Sequence, residues 1–180
     1  MNYTDYSHRY AEIILNSSYS IKKEIEATVK EISISDIDDH YANSNLQKVS
    51  AGKSESKGKQ SALNALFRKK FVANGWEAEK KIFDDDDNDL KMDFWKPDFG
   101  IDVAFNHRSF LGGDLLRLQA AAEVKDVIKV GVYICGTKEF LKYLSRNDAS
   151  SMVSYEKAKW YLDCFYPVLT TPIYLIGLSK

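Results

Sequence analysis

The sequence predicts an α/β fold, a mixed central β-sheet with helices on both faces. Three observations predict it. Ile128 to Cys135 (I-K-V-G-V-Y-I-C) is an apolar, β-branched run of the kind that fills a buried central strand. Met92 to Phe105 reads as two short strands around a Pro-Asp turn. Around these strands lie amphipathic segments at helical period, Tyr19–Ile32, Ser61–Asn74 and Ser154–Tyr166. The 180 residues form a single domain, 1–180, large enough to bury a core without disulfides or metals.

Composition narrows the class. Hydrophobic residues make up 44% and aromatic residues 13%, which excludes a disordered chain. Cys135 and Cys164 are far apart and lack ligand-like histidines, so neither a disulfide framework nor a zinc site is indicated, and a reducing cytoplasm is expected. The N-terminus has no apolar signal region, and no apolar run approaches the ~18 residues of a membrane span. A net charge of −1 excludes a broadly basic binder. Any nucleic-acid surface must be local and offset by acids elsewhere.

In chain order, Tyr3–Ser17 is a mixed segment that turns helical around Tyr10, Ala11 and Ile14. Tyr19–Ile32 sets Ile21, Ile25, Val29 and Ile32 on one stripe, an amphipathic helix. Ser33–Asn45 reads as a polar linker whose His40 carries no role. Lys48–Gln60 is rich in Ser, Gly and Lys and is expected to be a mobile basic loop in the free protein. With Arg68, Lys69 and Lys70 it forms the one dense basic zone in the sequence: a solvated loop, or an arm that tracks phosphates. Ser61–Asn74 is a helix stopped by Gly75, followed by Trp76 and a short strand at Lys80–Phe83. Asp84–Asp89 lacks EF-hand spacing and reads as a solvated acidic turn. Asp114 is expected to cap a helix over Leu115–Val124. A central strand, two helices (Thr137–Ser145 and Ser154–Tyr166) and a last strand over Pro172–Leu178 complete the chain.

The chemistry concentrates in Lys91–Arg108, K-M-D-F-W-K-P-D-F-G-I-D-V-A-F-N-H-R. Pro97-Asp98 suits the centre of a type I turn, and Gly100 takes up the irregular exit. A turn centred there pairs residues whose numbers sum to 195, which sets Asp93 opposite Asp102. Their Cβ atoms would then lie roughly 4.5–5.5 Å apart. Two carboxylates that close repel unless a proton or cation sits between them, and Mg²⁺ is the natural occupant. The alternative is a solvated strand face whose acids are scattered by chance. Nearby, Pro97-Asp98 followed by Glu123-Val124-Lys125 spells P-D…E-x-K, but the second part falls at the end of a helix, where its acid and lysine cannot share a strand face with the first aspartate.

Asp93–Phe105, D-F-W-K-P-D-F-G-I-D-V-A-F, resembles the active-site hairpin of the BglII/BstYI-like type II restriction endonucleases, members of the PD-(D/E)xK superfamily. In that family an Asp is followed nine residues later by an acid in an acid-x-Gln or acid-x-Glu motif on an apolar strand. The likeness runs along most of the chain. Tyr6-Ser7-His8 with Glu12-Ile13-Ile14-Leu15-Asn16 resembles Y-[SN]-H…E-I-x-L-N. Gly75-Trp76 matches an aromatic landmark before the hairpin. Tyr155-Glu156-Lys157-Ala158 and Pro172–Leu178 resemble Y-E-x-A and P-I-x-L-x-G-[LI].

The resemblance implies a restriction-endonuclease-like core and Mg²⁺-dependent cleavage of double-stranded DNA by a homodimer. The target would be a short palindrome, with GATC a candidate centre. It implies Asp93 and Asp102 as metal ligands together with the main-chain carbonyl of Val103, and Glu77 as an outer carboxylate, a placement that could shift to Glu79. It assigns base reading to Asn106, His107, Arg108 and Ser109, which follow the catalytic strand, and to Ser150, Ser151 and Ser154. Asn suits adenine and Arg suits guanine. His107 has the alternative of a helix-start residue that bonds backbone groups, and the serines that of ordinary surface residues. The basic loop, with Lys53, Lys57 and Lys59, would then be a clamp or a backbone contact.

Ala104 departs from the pattern, since the family has Gln or Glu there and related nucleases have Lys. A methyl group can neither orient water nor complete a second metal site. The expectation is a chain that binds DNA and one metal while cutting slowly or not at all. Such a chain is either naturally impaired or a variant whose active site was disabled, and because every other element of the hairpin is kept, the second is the expectation. Two other classes stay open: a non-catalytic DNA- or partner-binding domain of the same fold, and a metal-dependent enzyme on a small phosphoester.

Overall fold

The computed structural model describes residues 1–83 and 90–180. The acidic run 84–89, read above as a turn, lies outside them. Among the described residues six strands form one mixed sheet: β1 (Asn2–His8), β2 (Glu77–Lys81), β3 (Lys91–Lys96), β4 (Asp98–Val103), β5 (Ile128–Gly136) and β6 (Ile173–Ser179), in the spatial order β1-β6-β5-β4-β3-β2. The three central strands β4, β5 and β6 run parallel, while β1 lies antiparallel to β6, β3 to β4, and β2 to β3. The parallel strands explain the apolar run. Every residue of β5 except Lys129 is buried, because helices cover both faces.

One face carries α1 (Ala11–Ser17), α2 (Tyr19–Glu31), α3 (Ile34–Ser50), α4 (Gln60–Ala73) and α6 (Lys138–Leu144). Leu15, Ile25, Ile37, Phe67, Phe71 and Phe140 from these helices pack on Ile101, Val132 and Ile134. The other face carries α5 (Leu111–Gln119) and α7 (Tyr155–Cys164), whose Leu115, Leu118, Ala158 and Leu162 pack on Tyr133, Cys135 and Leu175. The expected α/β layering is what the chain adopts.

Several boundaries differ from the sequence reading, each for a physical reason. Tyr3–His8 is a strand and not part of a mixed segment, because β6 supplies a full ladder from Asn2↔Ser179 to His8↔Ile173. The expected polar linker 33–45 is α3, opened by a capping box in which the Ser33 Oγ accepts from the Asp36 N–H and the Asp36 carboxylate accepts from the Ser33 N–H. The second strand is shifted to Glu77–Lys81, and the left-handed backbone of Glu79 (φ 57°) interrupts its ladder with β3. The hairpin turn is not type I, since Asp98 has φ 71° where that turn needs about −90°. Gly75 ends α4 as read, at φ 82°, with its N–H on the Val72 carbonyl and the Trp76 N–H on that of Phe71.

The two late motifs meet. A Cβ on Gly177 would stand 2.5 Å from Cγ of Tyr155, so the glycine in β6 makes the room in which the first ring of α7 lies.

Candidate active site

The hairpin has the register expected from its turn: Phe94 pairs with Ile101, Trp95 with Gly100, and Lys96 with Phe99. At the next step the carboxylates take over from the backbone. The Val103 N–H donates to Asp93 Oδ2 at 2.7 Å, and the Asp93 N–H donates to Asp102 Oδ1 at 3.3 Å. The two acids therefore meet across the hairpin, each receiving an amide hydrogen from the opposite strand.

What holds Asp102 was not in the sequence reading. From α5, Arg117 donates to Asp102 Oδ2 through Nε at 3.1 Å and Nη2 at 2.9 Å, and Nη2 also reaches Asp114 Oδ1 at 3.1 Å. Asp114 Oδ2 in turn accepts from the buried Tyr133 hydroxyl at 2.9 Å and from Asn106 Nδ2 at 3.5 Å. Asp114 is thus no helix cap. The helix starts three residues earlier, at Leu111, and the three donors converging on Asp114 account for a carboxylate that is 5% exposed. The Asp114–Arg117 spacing of three residues is visible in the sequence, but it resembles any solvated helix pair.

Burial sets the electrostatics. Asp102, 1% exposed, has its pKa pushed up to about 7 by desolvation; Arg117 opposes the rise and Asp93 adds to it. Asp93 is likewise raised, first by burial, with the Val103 N–H and Arg117 working the other way. Burial lowers the pKa of Arg117, but Asp102 and Asp114 more than offset this and raise it. The repulsion foreseen between the two carboxylates is thus relieved by a guanidinium and by a tendency of Asp102 to hold its proton.

Asp93 and Val103 line a cleft of 260 Å³ together with Phe94, Asn64 and Arg68 of α4, and Glu79. Glu79 is bound to Arg68 at 2.7 Å. Glu77, the residue read as the outer carboxylate, is exposed and pairs with Lys80 at 3.2 Å; Glu79 is the acid that the β2 irregularity brings to the cleft. Ala104 follows β4 directly, donates its N–H to the Ile134 carbonyl, and is 2% exposed in the apolar cluster that contains Leu111 and Leu115. Glu123–Lys125 lies at the end of the helical segment that follows α5, far in sequence from any strand partner of Asp93, and Glu123 accepts from the Thr170 hydroxyl.

The residues assigned to base reading fall into two groups. Asn106–Ser109 are exposed and lie against 150–153: His107 bridges to Met152, the Val153 N–H donates to the Asn106 carbonyl, and Arg108 Nη1 donates to the Ser150 carbonyl at 3.4 Å. His107 also starts a 3-10 turn, its Nδ1 accepting from the Ser109 N–H. Ser151 is engaged with the Asp148 carbonyl. Ser154 is 5% exposed and caps α7 by accepting from the Lys157 N–H, so its hydroxyl is structural. The basic loop is anchored at Ser56, whose carbonyl accepts from Tyr41 and whose N–H donates to Asn45. Lys59 is bound to Asp38 at 2.6 Å, while Lys53 and Lys57 remain exposed.

The family model for restriction endonuclease BglII/BglIII matches residues 3–178. The chain belongs to this family. Among solved structures, a BglII-family comparison is the crystal structure of restriction endonuclease BglII complexed with a DNA 16-mer. It shares 21% identity and a TM-score of 0.74, over 100% of this chain and 79% of the other. At that identity the likeness speaks for the fold. No curated protein matches. Restriction endonucleases of this kind are DNA-binding nucleases, and the hairpin described above is the part of this BglII-family chain where acidic groups converge.

The donors here are hard oxygen atoms: the carboxylates of Asp93 and Asp102 and the main chain at Val103. They suit a small divalent cation by chemistry. Among the described residues, however, no three His, Cys, Asp or Glu side chains stand together in a metal-binding cluster. Of the two Asp102 oxygens, Oδ2 takes both Arg117 bonds, while Oδ1 accepts only the long bond from the Asp93 N–H. Membership of the family carries the nuclease class, and the geometry of this chain adds a cation on α5.

Proposed function

We propose that this chain is a type II site-specific deoxyribonuclease that cuts double-stranded DNA at a short palindrome, GATC-centred, as a homodimer. Asp93, Asp102 and the Val103 carbonyl would hold Mg²⁺. When bound, the ion lowers the pKa of a water and neutralises charge on the attacked phosphate. The observation that carries the reading is the cross-strand exchange between Asp93 and Asp102 at the mouth of a cleft.

The chain's own residues define the rest. Val103 N–H holds Oδ2 of Asp93, a residue that lines the cleft. Arg117 holds Asp102 in place and supplies positive charge beside it. Asn106, His107, Arg108 and Ser109 form an exposed edge against 150–153, suited to reading base edges from a groove. Ala104 leaves the water-orienting position without a polar group, and cleavage by the chain as written is slow. A Gln or Glu there must carry its polar end out of the apolar cluster and toward the cleft.

The test is nicking of supercoiled plasmid that contains GATC sites, with Mg²⁺ or with EDTA. The Ala104→Gln and Ala104→Glu forms cut with Mg²⁺, and adding Asp93→Asn abolishes the cutting. If neither form gains activity over the parent chain, the assignment of position 104 is wrong. Sequence-specific binding without cutting in all forms would favour a non-catalytic DNA-binding domain.

A further inference from the structure

A second concavity, larger than the carboxylate cleft, lies elsewhere among the described residues. It measures 1140 Å³ and lies between α6, the 3-10 segment Ala149–Ser151 and α7, at the carboxyl ends of β5 and β6. Arg108, Lys138, Lys142, Arg146, Lys157 and Lys180 line it, six cations against the two carboxylates of Glu139 and Glu156. All six cations are exposed. Glu139 pairs with Lys142 at 2.7 Å on an open surface, and Glu156 accepts the Lys138 main-chain N–H at 3.2 Å. The protein as a whole carries −1, so this positive charge is segregated and not a reflection of composition.

The cleft is continuous with the edge proposed to read bases. Arg108 belongs to both, and it binds the Ser150 carbonyl of the cleft's own wall. Tyr143, another lining residue, has Lys59 at 4.0 Å and Lys180 at 4.4 Å from its ring centre, which brings the end of the basic loop to the rim. An open, cationic concavity with few acids suits a polyanion, and a duplex backbone is one.

We propose that this cleft carries the sugar-phosphate backbone of the DNA duplex beside the bases met by Asn106–Ser109. It supplies affinity without sequence preference, and the inference rests on the DNA-cleavage reading above.

The experiment is fluorescence anisotropy with two labelled duplexes, one containing GATC and one of unrelated sequence, in EDTA, across salt from about 50 to 200 mM. The proteins are the parent chain, a cleft variant (Lys142→Gln, Arg146→Gln, Lys157→Gln) and a control of equal charge change outside the cleft (Lys23→Gln, Lys30→Gln, Lys129→Gln). Circular dichroism verifies that each is folded. The cleft variant should bind both duplexes more weakly by a similar factor. Its slope of log affinity against log salt should be smaller by ~0.9 for each lost phosphate contact, which is ~3 for each protomer on the duplex and ~5 for the homodimer proposed above, while the control keeps the parental slope. A parent that binds while the cleft variant keeps its slope, or while the control loses as much, overturns the cleft assignment and leaves the nuclease reading standing. A parent that binds neither duplex overturns the DNA reading itself, and this proposal with it.

Discussion

Replacing Arg117 by Met isolates the ion pair on which the site depends. Asp102 is 1% exposed and its Oδ2 accepts both Arg117 bonds, at 3.1 and 2.9 Å. At that separation a pair of unit charges is worth about 5 kcal/mol at an effective dielectric near 20, and removing one partner of a buried pair costs about 3–5 kcal/mol. The loss depends on pH. Burial raises the folded-state pKa of Asp102 to about 7, above its ordinary value of 3.8, so the folded protein binds the proton more tightly than the unfolded chain. Such a group gives its full stability below the unfolded pKa and loses it as pH rises through the folded one. At pH 5 Asp102 is largely neutral and the substitution should cost only about 1 kcal/mol, the worth of an ordinary hydrogen bond. At pH 8 the parental carboxylate is ionised against Arg117, whereas without the guanidinium its pKa rises further and it keeps its proton; the penalty therefore grows by about 1.4 kcal/mol for the one pH unit above 7, to roughly 2–3 kcal/mol, about 4–12 °C in melting temperature for a chain of this size. Urea unfolding at the two pH values measures this, and Asp102→Asn in the Arg117→Met background should recover most of the loss at pH 8. An equal penalty at both pH values, or one below ~1 kcal/mol at pH 8, would refute the claim that Arg117 neutralises Asp102.

Two further predictions concern the scaffold. Gly177→Ala drives a methyl into the ring and Cβ of Tyr155, at 2.5–2.8 Å, and overpacking of that sort should lower the unfolding free energy by about 1–3 kcal/mol; unchanged stability would mean that α7 is not held where it is drawn. At the hairpin turn Asp98 has φ 71°, so Asp98→Val should cost about 1–2 kcal/mol in the same assay while Asp98→Gly costs nothing, and equal effects would contradict the left-handed turn.

The hairpin was legible because its signals are local. Pro97 fixes the turn, the strands alternate, and the register follows from the turn alone, so Asp93 and Asp102 could be paired before any fold was known. The helix α4 and its glycine stop were legible for the same reason. The elements that escaped depend on partners far along the chain. The first strand exists because β6, some 170 residues later, offers a ladder, and nothing in N-Y-T-D-Y-S-H specifies that. Arg117 reaches Asp102 only once α5 lies on the sheet. The cationic cleft gathers residues from four separate stretches, whereas the lysine loop that stood out in sequence ends with Lys59 tied to Asp38. The helix α3 is the one miss with a readable local signal: the Ser33–Asp36 capping box was present, hidden by the polar residues that follow.

The central claim is that the carboxylates of this hairpin direct hydrolysis of duplex DNA at one sequence. The most direct measurement is cut-site mapping on unmethylated phage DNA treated with the Ala104→Gln form and Mg²⁺, in parallel with the same form carrying Asp93→Asn. The account predicts discrete fragments whose ends share one short palindrome, absent when Asp93 is replaced. Uncut DNA, or fragment ends that persist without Asp93, would contradict it.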